Sequence, residues 1–107
     1  MTEKRNETRK PLHVRAWMVM GGQRMEAKTL NISIGGMAIQ SPLNLKSGTK
    51  LGIIFQVHIG SRFSTVQAEC EAMHSIFGAG GDGFKTGLRF TQLSEAYRQT
   101  ITNFMEA

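Results

Sequence analysis

Thr29-Leu-Asn31-Ile-Ser33-Ile-Gly35-Gly36-Met-Ala-Ile-Gln40 is the stretch whose reading decides the fold. Upstream, Arg24 to Leu30 mixes polar and apolar residues as a surface strand does, and Met37-Ala38-Ile39 is a short apolar strand. Between them, Asn31 and Ser33 can bond to nearby backbone and hold a tight turn. Gly35 and Gly36 tolerate positive φ and, lacking Cβ, allow close approach to the backbone. Such a turn is either a corner of a β scaffold or a floor on which a ligand rests.

Outward from this turn, alternation continues. Leu12, Val14, Ala16, Met18 and Met20 share one face of a strand, with His13, Arg15 and Trp17 on the other. Gly21-Gly22 is a hairpin turn, and Gln23 to Ser33 returns as the second strand. Met37 to Gln40 is the third, stopped by Ser41-Pro42. Leu51 to Ile59 alternates most cleanly, with Leu51, Ile53, Phe55, Val57 and Ile59 on one face. After Gly60-Ser61, Phe63 to Ile76 carries Val66, Ala68, Cys70 and Ala72 on one face. Phe84 to Phe90 faces Phe84, Leu88 and Phe90 inward and Lys85 and Arg89 outward.

The period then changes. Ser94 is a good N-cap and Glu95 suits a first helical turn. Tyr97, Ile101, Phe104 and Met105 recur at helical spacing, giving an amphipathic helix of about three turns. The expected fold is therefore all-β with one helix: a six-stranded antiparallel β-barrel with a C-terminal α-helix packed on one mouth. A chain of 107 residues suits one domain. Its parts are a polar basic arm over 1–11, expected to be mobile, a barrel over 12–92 and the helix over 93–107.

Composition narrows function. A formal charge of +5 favours an anionic partner: nucleotide, nucleic acid or membrane surface. No apolar run reaches the ~18 residues of a membrane span. The single Cys70 excludes an internal disulfide and a Cys-rich zinc site, and suits a reducing cytoplasm. No secretory leader is recognisable, so the expected location is cytoplasmic. His13, His58 and His74 lie in separate strands without a nearby acidic or Cys cluster, so no metal site is expected. Cys70 sits on an apolar face between Glu69 and Glu71, an unfavourable setting for a nucleophile. Gly78, Gly80 and Gly83 match a dinucleotide-binding glycine pattern, but a strand follows where that motif needs a helix. No acid, base or nucleophile constellation assembles, so the chain is read as non-catalytic and without a cofactor.

Arg5 and Arg9 remain, four apart on the arm, with Lys4 and Lys10 beside them. Guanidinium forks pair bidentately with phosphate or with the O6/N7 edge of guanine. Two such forks could close over a ligand lying on the Asn31–Gly36 turn.

Arg5-Asn-Glu-Thr-Arg9 reads as RxxxR, and Asn31-Ile-Ser33-Ile-Gly35-Gly36 as [D/N]xSxxG. In this order across a first hairpin they resemble the two signature motifs of PilZ domains. Gly36-Met-Ala-Ile39, Gly87-Leu-Arg-Phe90 and the segment from Leu93-Ser94 are similar to that family's following strand, last strand and C-terminal helix. The resemblance implies the six-stranded barrel and non-catalytic binding of the bacterial second messenger cyclic di-GMP. By that resemblance, Arg5 and Arg9 grip phosphates and a guanine edge, with Lys4 adding charge. Asn31 meets guanine's N–H edge, Ser33 contacts a phosphate or holds the turn, and Gly35 and Gly36 let backbone and ligand meet. Ligand binding orders the arm, and a protein partner reads the change in motility or biofilm signalling. The alternatives are a PilZ-like protein-interaction module that binds no nucleotide, for pilus assembly or motility, and a basic barrel for single-stranded nucleic acid. Few exposed aromatics argue against the last. A monomer is favoured.

Overall fold

The computed structural model describes residues 8–78 and 83–107. Seven strands and one helix follow in order: β1 (Lys10–Pro11), β2 (Arg15–Met20), β3 (Gln23–Ile32), β4 (Gly36–Ser41), β5 (Lys50–Ile59), β6 (Arg62–Phe77), β7 (Phe84–Gln92) and α1 (Glu95–Glu106). The sheet runs β1-β3-β2-β5-β6-β7-β4, and a further β3–β4 pairing closes it. All pairings are antiparallel. The expected six strands thus form a closed ring, a small barrel. β1 is the addition: its Lys10↔Ile32 and Pro11↔Asn31 pairs continue along the β3 edge that β2 leaves at Lys28.

This pairing corrects two expectations. The strand expected over Leu12 to Met20 is regular only from Arg15, and the arm expected to be mobile through residue 11 is already in the sheet at Lys10. The cause lies in β3, where register with β4 shifts between Thr29 and Asn31. Leu30 is an extra residue there, a β-bulge, and on the other edge of β3 the ladder is interrupted over Leu12 to Val14. Thr29 closes the gap. Its buried Oγ1 donates to the Leu12 carbonyl and accepts from the Val14 N–H at 2.9 Å. The Leu12 N–H donates to the Leu30 carbonyl at 3.2 Å. Hence no buried side-chain nitrogen or oxygen among the described residues is unpaired.

The alternation elsewhere does what its period demands. Every second residue of β5 from Leu51 to Val57 is buried, as are Val66, Ala68, Cys70 and Ala72 of β6. They join Ala16, Met18, Ile32, Met37, Ile39 and Leu88 in one core inside the ring. The helix seals it with Ile101 and Phe104, both buried. Ser94 Oγ caps the helix by accepting from the Tyr97 N–H at 3.1 Å. The opposite end has no basic residue in its last turn. Lys10 of β1 supplies that charge from across the fold: its Nζ donates to the Phe104 and Ala107 carbonyls at 2.7 and 3.1 Å and sits 4.3 Å from the Phe104 ring centre.

Candidate functional site

The bulge at Leu30 also builds the site. Ala27 and Thr29 point into the core, so unbroken alternation would carry Asn31 inward with them. The extra residue reverses the phase. Asn31 comes out half-buried and Ile32 goes fully inside. Bulges re-aim side chains in this way.

Turned outward, Asn31 meets the arm. Arg9 Nη1 donates to Asn31 Oδ1 at 2.8 Å, joining residues that lie 22 apart in sequence. The pairing of Pro11 with Asn31 brings them together. Lys4 and Arg5 lie outside the described residues.

Ser33 is fully buried. Its Oγ donates to the Gly36 carbonyl at 3.2 Å, and its N–H donates to the same oxygen at 2.8 Å. Of the two roles open to it in the sequence, the hydrogen bonds observed are those of holding the turn. Gly35 docks the turn onto β7, its carbonyl accepting from the Phe90 N–H at 2.9 Å. Gly36 is buried, and a Cβ there would lie 2.1 Å from the Leu88 carbonyl oxygen. The backbone that comes close to Gly36 is therefore β7. Among the described residues the positive-φ glycines are Gly21, Gly22, Gly48, Gly60 and Gly83, so the absent side chain, not unusual φ, is what this turn needs from Gly36.

The register extends an outward face from this point. Asn31 pairs with Ala38, Ala38 with Gly87, and Gly87 with His74, crossing β3, β4, β7 and β6 in one row. On one side runs the row Lys28, Gln40, Lys85 and Ile76. On the other, Gly36 pairs with Arg89 and Arg89 with Glu71. Arg89 Nη2 donates to Glu71 Oε1 at 2.6 Å. Lys28 and Lys85 are exposed and have no acidic partner among the described residues. The face has a floor of small residues, with Lys28 and Lys85 along one side and the Glu71-paired Arg89 on the other.

The other candidates fall elsewhere. Trp17 is half-buried on β2, paired with Glu26 and Ile54, away from Asn31. Cys70 is buried, and burial, with the Glu69 charge beside it, pushes its thiol up from 9.0 to about 12. It is a core residue, not a thiolate nucleophile. His58 stacks on Phe63 at 4.3 Å. Among the described residues no group of His, Cys, Asp and Glu could hold a metal ion. The contacts of Lys10 escaped sequence reading because they depend on where the helix ends in space.

A closed antiparallel ring with a terminal helix, an arginine-bearing arm paired onto β3 and a tight NxSxxG turn define a class of small β-barrel module. The chain matches the PilZ domain model over residues 3–107 and belongs to that family. Solved structures share the fold. The inhibitor of motility MotI/DgrA of Bacillus subtilis superposes with a TM-score of 0.81 at 17% identity, over 94% of this chain and 48% of that one. The PilZ domain with c-di-GMP of YcgR from Escherichia coli gives 0.66 at 14%, over 97% and 91%. The Borreliella burgdorferi PlzA protein in complex with c-di-GMP gives 0.61 at 16%, over 84% and 31%. The chain thus spans about half of MotI and under a third of PlzA. No curated protein matches it. No helix among the described residues is long and apolar enough to cross a membrane.

Proposed function

We propose that this chain is a non-catalytic receptor for cyclic di-GMP, acting in the bacterial cytoplasm without a further cofactor. The observation that carries the reading is the Arg9–Asn31 hydrogen bond, which joins one residue of each motif on the outer face. Family membership and the c-di-GMP complexes of YcgR and PlzA support the same ligand.

In this reading Arg5 and Arg9 clamp phosphate oxygens and a guanine Hoogsteen edge, with Lys4 adding charge. Arg9 leaves Asn31 or shares it with the base, and the freed amide meets guanine's N–H edge. Gly35 offers backbone at the rim of the turn. Ser33 and Gly36 act by fixing the turn's shape. Closure of the arm makes the surface that a protein partner recognises, an order–disorder device of the usual kind. The likeness to a motility inhibitor makes a motility protein a reasonable first partner to test.

Calorimetric titration with cyclic di-GMP, with GTP as control, tests the reading. Arg5→Ala and Arg9→Ala should each weaken binding by about ten- to a hundredfold, the value of a charge-assisted hydrogen bond or two. Wild-type protein that takes up no cyclic di-GMP removes the receptor reading and leaves the protein-interaction module.

A further inference from the structure

Arg9 and Asn31, the motif residues described at the outward row, lie at one end of it. Asn31 begins it on β3, Ala38 and Gly87 form its floor, and His74 ends it on β6. Three interstrand steps separate the ends, at most about 14 Å along the sheet. That is longer than one purine needs, and a cyclic dinucleotide carries two.

His74 reaches this row through a second irregularity. The β6–β7 register shifts between Ala72 and His74, so Met73 is the extra residue. Ala72 is fully buried, and the bulge turns His74 outward opposite Gly87. A Cβ on Gly87 would meet His74 Cε1 at 3.3 Å. The imidazole therefore lies across the β7 backbone, in the space a side chain at position 87 would take. His74 is exposed, and its ring makes no hydrogen bond or ion pair with the described residues. A flat ring laid against the sheet, on a floor of Gly and Ala, leaves one π-face open. Lys85 and Arg89 flank Gly87 along β7 on the same outward side. Phosphate beside that ring would find Lys85, unpaired among the described residues, on one side and the Glu71-paired Arg89 on the other.

We propose that His74 closes the far end of the ligand site, its imidazole on Gly87 stacking against the purine that Arg9 and Asn31 do not hold. The proposal rests on the cyclic di-GMP reading above and adds the second base to it. His74 here positions the base, and its flatness, not its charge, is the property used.

The test compares wild type, His74→Ala and His74→Phe by calorimetric titration with cyclic di-GMP. Loss of the ring should raise Kd about tenfold, within the range for one base–aromatic stack, while Phe keeps Kd within about threefold. In wild type the His74 Hε1 resonance should move upfield on saturation, from the ring current of the stacked base. Unchanged affinity in His74→Ala overturns the proposal, as does equal weakening in both variants. Should His74→Ala fail to fold, a stationary Hε1 resonance in the wild type overturns it alone. A wild type that binds nothing overturns the receptor reading itself, which distinguishes that failure from this one.

Discussion

Single residues decide whether this face exists at all. At Gly36 a methyl group would enter the Leu88 carbonyl at 2.1 Å, and neither atom is a flexible side-chain end. Gly36→Ala should therefore force β4 from β7 and lose roughly 1–3 kcal/mol or more of stability, as overpacking does, measured by urea unfolding. An unchanged midpoint would show that the two strands separate freely. Cys70 makes the complementary case. Its thiol rises from 9.0 to about 12, chiefly through burial and then through Glu69, so the folded chain keeps the proton that the unfolded chain releases. Native protein binds more protons across that window, and stability must fall as pH rises between 9.0 and about 12. Cys70→Ala should flatten that alkaline limb. Below it, a thiol reagent should modify Cys70 only as fast as the protein opens. The apolar setting of Cys70 was legible from alternation alone. The packing of Gly36 was not, because the approaching carbonyl belongs to a strand some fifty residues downstream.

At the level of elements, period and caps carried most of the information. The alternation of β5 and the helical spacing after Ser94 identify their elements because each buries one side against a single core. What alternation cannot encode is a change of phase. Leu30 and Met73 read as ordinary strand residues, yet each is an inserted position that reverses everything after it. Both inserted positions deliver a polar side chain, Asn31 and His74, to the same outward row. The sequence named Asn31 through its motif and weighed His74 only as a metal ligand, which it was not expected to be. The arm was also misjudged at its root. Without an apolar anchor it was expected to be free, but Lys10 holds it by bonding the open end of α1. Lys10→Met keeps the stem and removes the charge. It should cost about 1 kcal/mol and speed amide exchange in the last helical turn, while Lys10→Arg stays near wild type. Exchange equal in both variants would show that the helix end does not depend on this contact.

Across the whole molecule, closure of the ring through β3 and β4 makes β3 the strand on which the rest is assembled. It pairs with β2, β1 and β4 and carries the bulge that exposes Asn31. A barrel was legible because six alternating runs with tight turns can pair in sequence and cover both edges by closing on themselves. Its seam was not, since pairing order follows from geometry beyond any local window. One contact brings the two ends of the described chain together: Lys10 Nζ lies 3.1 Å from the Ala107 carbonyl. From Lys10 to Ala107 the described chain is nearly a loop already. Joining Ala107 to Met1 through a few Gly and Ser residues, which keeps Lys4 and Arg5, and opening the exposed β5–β6 hairpin at Gly60-Ser61, should yield a circular permutant that refolds cooperatively with the parent's spectrum. An insoluble permutant would mean that the order of synthesis, and not only the final adjacency, is needed to wind the ring. If it folds, the arm becomes an internal tether with both ends fixed, and the entropy lost when it closes over a ligand shrinks accordingly.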